Sequence, residues 1–232
     1  MSTTAPVLTE RSFEAKHLGG PVFDCADPER AAAAVEQARK AGAILVSCRT
    51  EGAGTHLSNA GFRKVETLVT FERKTAGGIV EGPITAAVRS GGIEDIPACR
   101  RIAAAALRWD RFHADPRIDD RAADTLKADW IENDLRGRAD VTFVVEALGN
   151  VAGFCAMLLR SDVAVIDLIA VDPDQQGQGL GRALVAAALD HYRDRVATMQ
   201  VGTQAGNPSS LNFYRSMGFE EIRRADTWHW MP

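Results

Sequence analysis

Residues 170–185, AVDPDQQGQGLGRALV, place Gly177, Gly179 and Gly181 at alternate positions between two apolar segments. The preceding VIDLIAV reads as a buried strand and the following LGRALVAAALDHYRDR as an amphipathic helix. Glycine is a poor helix former and loses more backbone entropy than any other residue on folding. Three in such a row are tolerated where the chain must turn sharply, or where something must approach its backbone. A strand, a glycine loop and a helix in that order belong to an α/β fold. The first amides of the helix lack intrahelical partners, and the helix dipole adds partial positive charge, which together make an anion cradle. Arg182, directly after the last glycine, can add a charge-assisted bond. No Gly-Lys-Ser/Thr follows, so this is not a P-loop, and G-x-G-x-G is not the G-x-G-x-x-G of dinucleotide folds.

The rest of the chain alternates helix and strand patterns around this loop. PERAAAAVEQARKAG reads as a helix, AILVSCR as a buried strand, GTHLSNAGF as a short helix and KVETLVTFER as a strand. KTAGGIVEGP (74–83), with three glycines and a proline, is the linker candidate. Beyond it come a strand in ITAAVRSG and a helix in GGIEDIPACRRIAAAALRW. A second helix is expected near 119–135. Three strands follow, VTFVVEA, VAGFCAMLLR and VAVIDLIAV, with turns at Gly149–Asn150 and Ser161–Asp162. TMQVGTQ is a strand, 209–217 a helix, and FEEIRRADTWHWM is expected to form a strand pair. LSNAGFRKVETLVTFER (57–73) and YRSMGFEEIRRADTWHW (214–230) share a helix, a Gly-Phe pair and a strand at the same spacing. That echo is either a common helix–Gly–strand arrangement or the sign of a partial copy. The expected division is therefore 1–76 as a smaller α/β region and 84–232 as the main domain.

Composition sets limits on function. With 27 Lys and Arg against 31 Asp and Glu, no basic excess points to a nucleic-acid binder. Cys25, Cys48, Cys99 and Cys155 show no CxxC or Cys/His cluster, and read as buried thiols in a reducing compartment. The first residues lack a basic segment followed by an apolar one, and no run of about 18 apolar residues is present. A cytoplasmic location is expected. His113, His191 and His229 have no metal-like spacing, and no metal is expected.

VDPDQQGQGLGRAL resembles the acetyl-CoA signature of the GCN5-related N-acetyltransferases (GNAT), here Gln176, Gly177, Gln178, Gly179, Leu180 and Gly181. The resemblance implies an acyl-CoA N-acyltransferase fold with a mixed sheet, and acetyl-CoA as cosubstrate. It further implies that backbone groups near Ile169 and Val171 meet the acyl-pantetheine arm, and that Asn207 in GNPSSLNFYRSMGFE contacts the cofactor. Tyr214 then protonates the departing thiolate, a role for which a phenol of pKa near 10 is suited. Read without the resemblance, Tyr214 is a packed aromatic on a helix.

ALRWDRFHADP, WIENDLRG and NAGFRKVE are similar to segments in a branch of that family that acetylates nucleotide-linked amino sugars of the dTDP-4-amino-4,6-dideoxyhexose type. They extend the likeness over nearly the whole chain. They put forward Arg111 as a diphosphate partner, and Phe112, Trp130 and Asn133 on the substrate side. Phe112 and Trp130 are equally plausible as core, and Arg111 as a surface arginine. Glu66 is the candidate base, acting through water or with a raised pKa, or else a solvated charge on an edge strand. No Cys or Ser stands in a nucleophile context, which favours direct transfer in a ternary complex. The alternatives are an N-acetyltransferase for another small amine or a protein N-terminus, and a catalytically silent acetyl-CoA-binding module. A homodimer is a further expectation, because the final strand often borders such a contact in this fold.

Overall fold

The computed structural model describes residues 6–76 and 86–232. In its first part lie β1 (Leu8–Glu10), α1 (Ser12–Leu18), β2 (Val22–Cys25), α2 (Ala31–Lys40), β3 (Leu45–Thr50), α3 (Thr55–Asn59) and β4 (Arg63–Lys74). The second part holds β5 (Val88–Ser90), α4 (Ile96–Ala106), α5 (Asp120–Asn133), β6 (Val141–Ala147), β7 (Asn150–Arg160), β8 (Val163–Val171), α6 (Leu180–Tyr192), β9 (Thr198–Gln204), α7 (Pro208–Ser216) and β10 (Glu220–Trp230). Residues 77–83 of the expected linker, and 84–85 of the strand expected in ITAAVRSG, fall outside the described residues.

The ten strands among the described residues join one mixed sheet in the order β1-β2-β3-β10-β4-β9-β8-β7-β6-β5. Its halves mirror one another in their pairing. β2–β3 and β8–β9 are parallel, whereas β1–β2 and β7–β8 are antiparallel. The last strand of each half is exchanged. β4 pairs with β9 of the second half, β10 pairs with β3 of the first, and β4 and β10 meet antiparallel at the centre. Segments before and after the expected linker thus share one sheet.

The echo between 57–73 and 214–230 has a structural counterpart. After α3 and after α7 the chain reverses through a left-handed glycine, Gly61 (φ 87) and Gly218 (φ 76). The next amide closes on the helix in both places, Phe62 on Leu57 and Phe219 on Tyr214, each at 3.0 Å. Both phenylalanines are buried beneath the strand that follows.

Helices cover both faces. α6 buries Leu184, Val185, Ala188 and Tyr192 against Val201 and Met199, together with α7. α2 and α3 pack on the same face of the first half through Ala34, Ala38 and Leu57 against Val46, Cys48 and Trp230. On the opposite face α4 and α5 bury Ile102 and Ile131 against Phe154 and Leu168, while Phe112 and Leu126 meet Val22 and Leu45. Full burial of each such aliphatic side chain is worth roughly 1.5–3 kcal/mol. The four cysteines are buried and free.

Three expectations are corrected. FEEIRRADTWHWM forms one strand, β10, whose bulges between Glu221 and Arg223 and between Thr227 and Trp228 absorb its irregular alternation. β10 and β4 are interior strands paired on both sides, so Glu66 does not lie on an edge strand. The turn before β7 uses Leu148 (φ 52) and Gly149 (φ 78), one residue earlier than read, because two consecutive left-handed residues give the tight hairpin its twist. Residues 8–25 fold as β1, α1 and β2, elements too short to carry a periodic signal.

Candidate active site

The ladder between β8 and β9 runs from Val163↔Thr198 to Ile166↔Val201 and stops. At that point β8 carries an extra residue. Ala156 pairs with Leu168 and Met157 with Ile166, leaving Asp167 as a bulge. A bulge bends its strand and breaks the pairing, so β8 turns away while β9 continues along β4. Trp130 Nε1 (2.9 Å) and an Arg138 guanidinium nitrogen (2.7 Å) donate to the Asp167 carboxylate and hold the bulge in place. The opening between the strands is a cavity of about 550 Å³.

The glycine loop forms one end of it. Asp172 anchors the loop, its amide bonded to the Ala152 carbonyl (2.8 Å) and its carboxylate accepting from Arg101 (2.7 Å) and from the Asp174 amide (3.2 Å). Gln176 Nε2 donates to the Val171 carbonyl at 3.2 Å. Gly177 (φ 77) and Gly179 (φ 79) take the left-handed conformation, and a Cβ on either would meet no protein atom within 4 Å. A ligand can therefore approach the backbone at these two positions without meeting a protein atom. Gly181 differs, since its Cβ would stand 3.7 Å from the Phe213 ring, ordinary contact between helices. The first bond within α6 runs from the Ala183 amide to the Gly179 carbonyl (3.0 Å). The amides of Leu180, Gly181 and Arg182 thus lie at the open end of the helix. Ile169, Val171, Gln176, Gly177, Gly179, Leu180, Gly181, Arg182 and Asn207 all line the cavity. Gln178 is not in the described lining; its side chain turns to Gln175 at 3.2 Å. Open left-handed glycines, helix-end amides and a narrow slot between strands fit the pyrophosphate and pantetheine of coenzyme A.

Tyr214 also lines the cavity, on α7, with Phe71, Phe213 and Phe219 rings around it at 5.1–6.0 Å. Burial, with Cys155 nearby, raises its pKa, so the phenol keeps its proton. Asn207 caps α7, its side-chain oxygen accepting from the Ser210 amide at 3.1 Å. Glu66 projects from β4, its side chain 5 % exposed. Its Oε1 accepts from Thr227 at 3.2 Å and lies 3.9 Å from Arg49, while Oε2 has no partner among the described residues. Burial raises its pKa, against the opposing pull of Arg49 and Thr227.

The substrate-side expectations fare differently. The described lining does not include Arg111, Phe112, Trp130 or Asn133. Arg111 is committed elsewhere, to Ser47 (3.2 Å) and Glu14 (3.4 Å), with its guanidinium over the Phe112 ring at 4.7 Å. Phe112 is core, Trp130 fixes the bulge, and Asn133 ends α5. In their place the loop after α4 supplies Trp109 and Asp110, and α5 supplies Lys127. Burial alone would raise the Asp110 pKa. Lys127 at 3.7 Å, His113 at 2.7 Å and the Phe112 amide at 2.8 Å instead bring it down to about 2. Asp110 is the residue next to Arg111, and only the packing of α5 shows that it, rather than its neighbour, faces the cavity.

Comparison with known proteins places this arrangement. The chain is 30% identical over 139 residues to the spore coat polysaccharide biosynthesis protein SpsD of Bacillus subtilis, covering 60% of this chain and 48% of that protein. It is 39% identical over 92 residues to the [ribosomal protein bS18]-alanine N-acetyltransferase of Escherichia coli (38% and 62%). It is 35% identical over 128 residues to the dTDP-fucosamine acetyltransferase of Escherichia coli (53% and 54%). The chain thus spans about half to three fifths of these relatives. Among solved structures, a GCN5-related N-acetyltransferase from Sphaerobacter thermophilus superposes with a TM-score of 0.63 at 15% identity, covering 97% of this chain and 75% of that one. A tandem GNAT protein from the clavulanic acid biosynthesis pathway gives 0.59 at 16% identity, covering 86% and 68%. Both share the mixed α/β fold. The model of the acetyltransferase (GNAT) family, whose members use acetyl-CoA, matches residues 102–219, just over half of the sequence, and the chain belongs to that family.

Proposed function

We propose that the protein is an acetyl-CoA-dependent N-acetyltransferase acting on the amino group of a nucleotide-linked amino sugar of the dTDP-4-amino-4,6-dideoxyhexose type. The observation that carries the transferase reading is the splay at Asp167, which sets the glycine loop, the exposed edges of β8 and β9, and Tyr214 around one cavity. Amides from Gly177 to Arg182 hold the pyrophosphate, with Asn207 beside them, and the edge of β8 at Ile169 and Val171 orients the pantetheine arm. An amine attacks directly in a ternary complex. Glu66, through water, takes the proton that an ammonium acceptor must lose, and Tyr214 supplies one to the departing sulfur. The sugar reading is supported by the likeness to the dTDP-fucosamine enzyme and to a polysaccharide biosynthesis protein. Residues 1–76 act on this reading as a partial, strand-exchanged copy of the main domain, bringing Glu66 to the acceptor side. A second reading, acetylation of a protein N-terminus, is favoured by the 39% identity to the ribosomal-protein enzyme.

The test is acetyl-CoA-dependent thiol release on six amines: dTDP-4-amino-4,6-dideoxygalactose, its C4 epimer, a UDP-linked amino sugar, a free amino sugar, a polyamine and a peptide. Turnover confined to nucleotide sugars is expected. Turnover on the peptide or polyamine alone would replace the sugar reading and keep the transferase. Silence on all six with acetyl-CoA bound would favour the silent module.

A further inference from the structure

Three side chains stand in a row across the middle of the sheet. Arg49 on β3 pairs in register with Thr227 on β10, and Thr227 pairs with Glu66 on β4. Directly opposed residues of antiparallel strands share a face, and hydrogen bonds confirm it here. Arg49 Nε donates to Thr227 Oγ1 at 3.1 Å, and Thr227 Oγ1 donates to Glu66 Oε1 at 3.2 Å. On that same face β4 continues through Leu68, opposite Gln204, and Thr70, opposite Gly202. Gly202 and Gln204 line the cavity on that face, as Val201 and Thr203 do on the other, so the row, itself outside the described lining, lies on one of the two sides of the sheet that the cavity reaches, beyond the end of β9.

Within this row Arg49 is held at its base and open at its tip. Its Nε is fixed by Thr227, while its terminal nitrogens make only a 3.9 Å approach to Glu66 Oε1 among the described residues. Its side chain remains 42 % exposed, against 13 % for Arg111. The charged groups that face it are Arg111, Glu66, Asp24 and Arg223. Each of the four has a closer partner: Arg111 bonds Ser47 and Glu14, Arg223 leans on Glu51 at 3.7 Å, Asp24 pairs with Arg11 at 3.4 Å, and Glu66 accepts from Thr227 at 3.2 Å. A guanidinium fork fixed through Nε, with its terminal nitrogens partly exposed among two acidic and two basic neighbours, can still receive an oxyanion.

We propose that Arg49 binds a phosphate-type anionic group on the amine acceptor and so sets which amines are used. Arg49, rather than Arg111, then reads the acceptor's charge, while the neighbouring Glu66 serves the amine. This rests on the acceptor-side reading of Glu66 given above.

The experiment saturates the protein with coenzyme A, which fills the glycine loop, and titrates inorganic pyrophosphate by calorimetry. Arg49→Gln, Arg49→Lys and, as a surface control, Arg224→Gln are compared with wild type. Loss of a charge-assisted bond predicts about a tenfold or greater weakening in Arg49→Gln, partial recovery in Arg49→Lys and no change in Arg224→Gln. With an amino sugar nucleotide the same variant raises the acceptor KM by a similar factor and moves the acid limb of kcat/KM upward through Glu66, leaving the acetyl-CoA KM near wild type. Equal pyrophosphate affinity in wild type and Arg49→Gln would overturn the proposal, as would no binding to the coenzyme A complex of wild type. Retention of Arg49-dependent pyrophosphate binding by a protein that acetylates only neutral amines would instead reject the nucleotide-sugar reading.

Discussion

At the scale of the residue, the two groups assigned to proton transfer are both shifted by burial, in directions that suit their tasks. Tyr214 is pushed up and stays protonated, able to give its proton to sulfur. Glu66 is also pushed up, by desolvation that Arg49 and Thr227 offset only in part. A base works only when ionised, so a raised pKa means that activity is lost on acidification earlier than an ordinary carboxylate would lose it. The acid limb of kcat/KM is therefore expected above the usual glutamate value of about 4.3. Glu66→Gln removes that limb; an unchanged limb in the variant would assign the titration to another group. Both residues were singled out in the sequence through the family resemblance, Tyr214 by its place after Asn207 and Glu66 by the Val65-Glu66 pair, and their roles belong to the proposal. Arg49, Trp109, Asp110 and Lys127 were not singled out. Arg49 and Lys127 lie outside any motif, Trp109 and Asp110 lie in ALRWDRFHADP beside the residues it put forward, and which of two adjacent side chains faces a cavity depends on packing by α1 and α5.

At the scale of the element, the glycine loop separates binding from stability. Gly177 needs its glycine for a left-handed backbone, yet its missing Cβ faces open space. Gly177→Ala is expected to cost about 1–2 kcal/mol of stability from the backbone strain alone. Its effect on acetyl-CoA is larger, about tenfold or more in Kd, because the methyl group enters the ligand's path to the amides. Calorimetry and a denaturant melt on the same variant check both, and unaltered affinity would remove the loop from the binding site. The loop and α6 could be read from sequence, since alternate glycines after an apolar strand leave few options. The bulge at Asp167 could not. An extra residue in a continuous apolar run leaves VAVIDLIAV looking like an ordinary strand, with Asp167 its one polar mark.

At the scale of the whole molecule, two similarly paired halves share one sheet through exchanged strands, and among the described residues the glycine loop stands in the second half. In the first half Asp27 caps a short turn at Pro28–Arg30, accepting from the Glu29 amide at 3.0 Å, and the chain enters α2 directly at Ala31. Asp172 caps the turn at Pro173–Gln175 in the same way, but the glycine loop then precedes α6. Leu57 stands at the place in α3 that Tyr214 holds in α7, each accepting the amide of the following phenylalanine. The indole of Trp228 fills space beside Gly54, where a Cβ would lie 2.3 Å from the ring. One acetyl-CoA per chain is expected by calorimetry, and two equivalents would show that the first half keeps a site. The echo between 57–73 and 214–230 corresponds to a matching helix, glycine turn and strand in each half. It did not disclose the exchange of β4 and β10, because strand order across a sheet is set by long-range pairing and leaves no local pattern.

The most direct test of the account is thiol release from acetyl-CoA by wild type and Tyr214→Phe, with acetyl-CoA affinity measured in parallel. The account predicts amine-dependent turnover by wild type. It also predicts a kcat lower by about a hundredfold in the variant, as expected for loss of a general acid, with acetyl-CoA Kd unchanged. Equal kcat in the two proteins, or no amine-dependent release from a protein that binds acetyl-CoA, would contradict it.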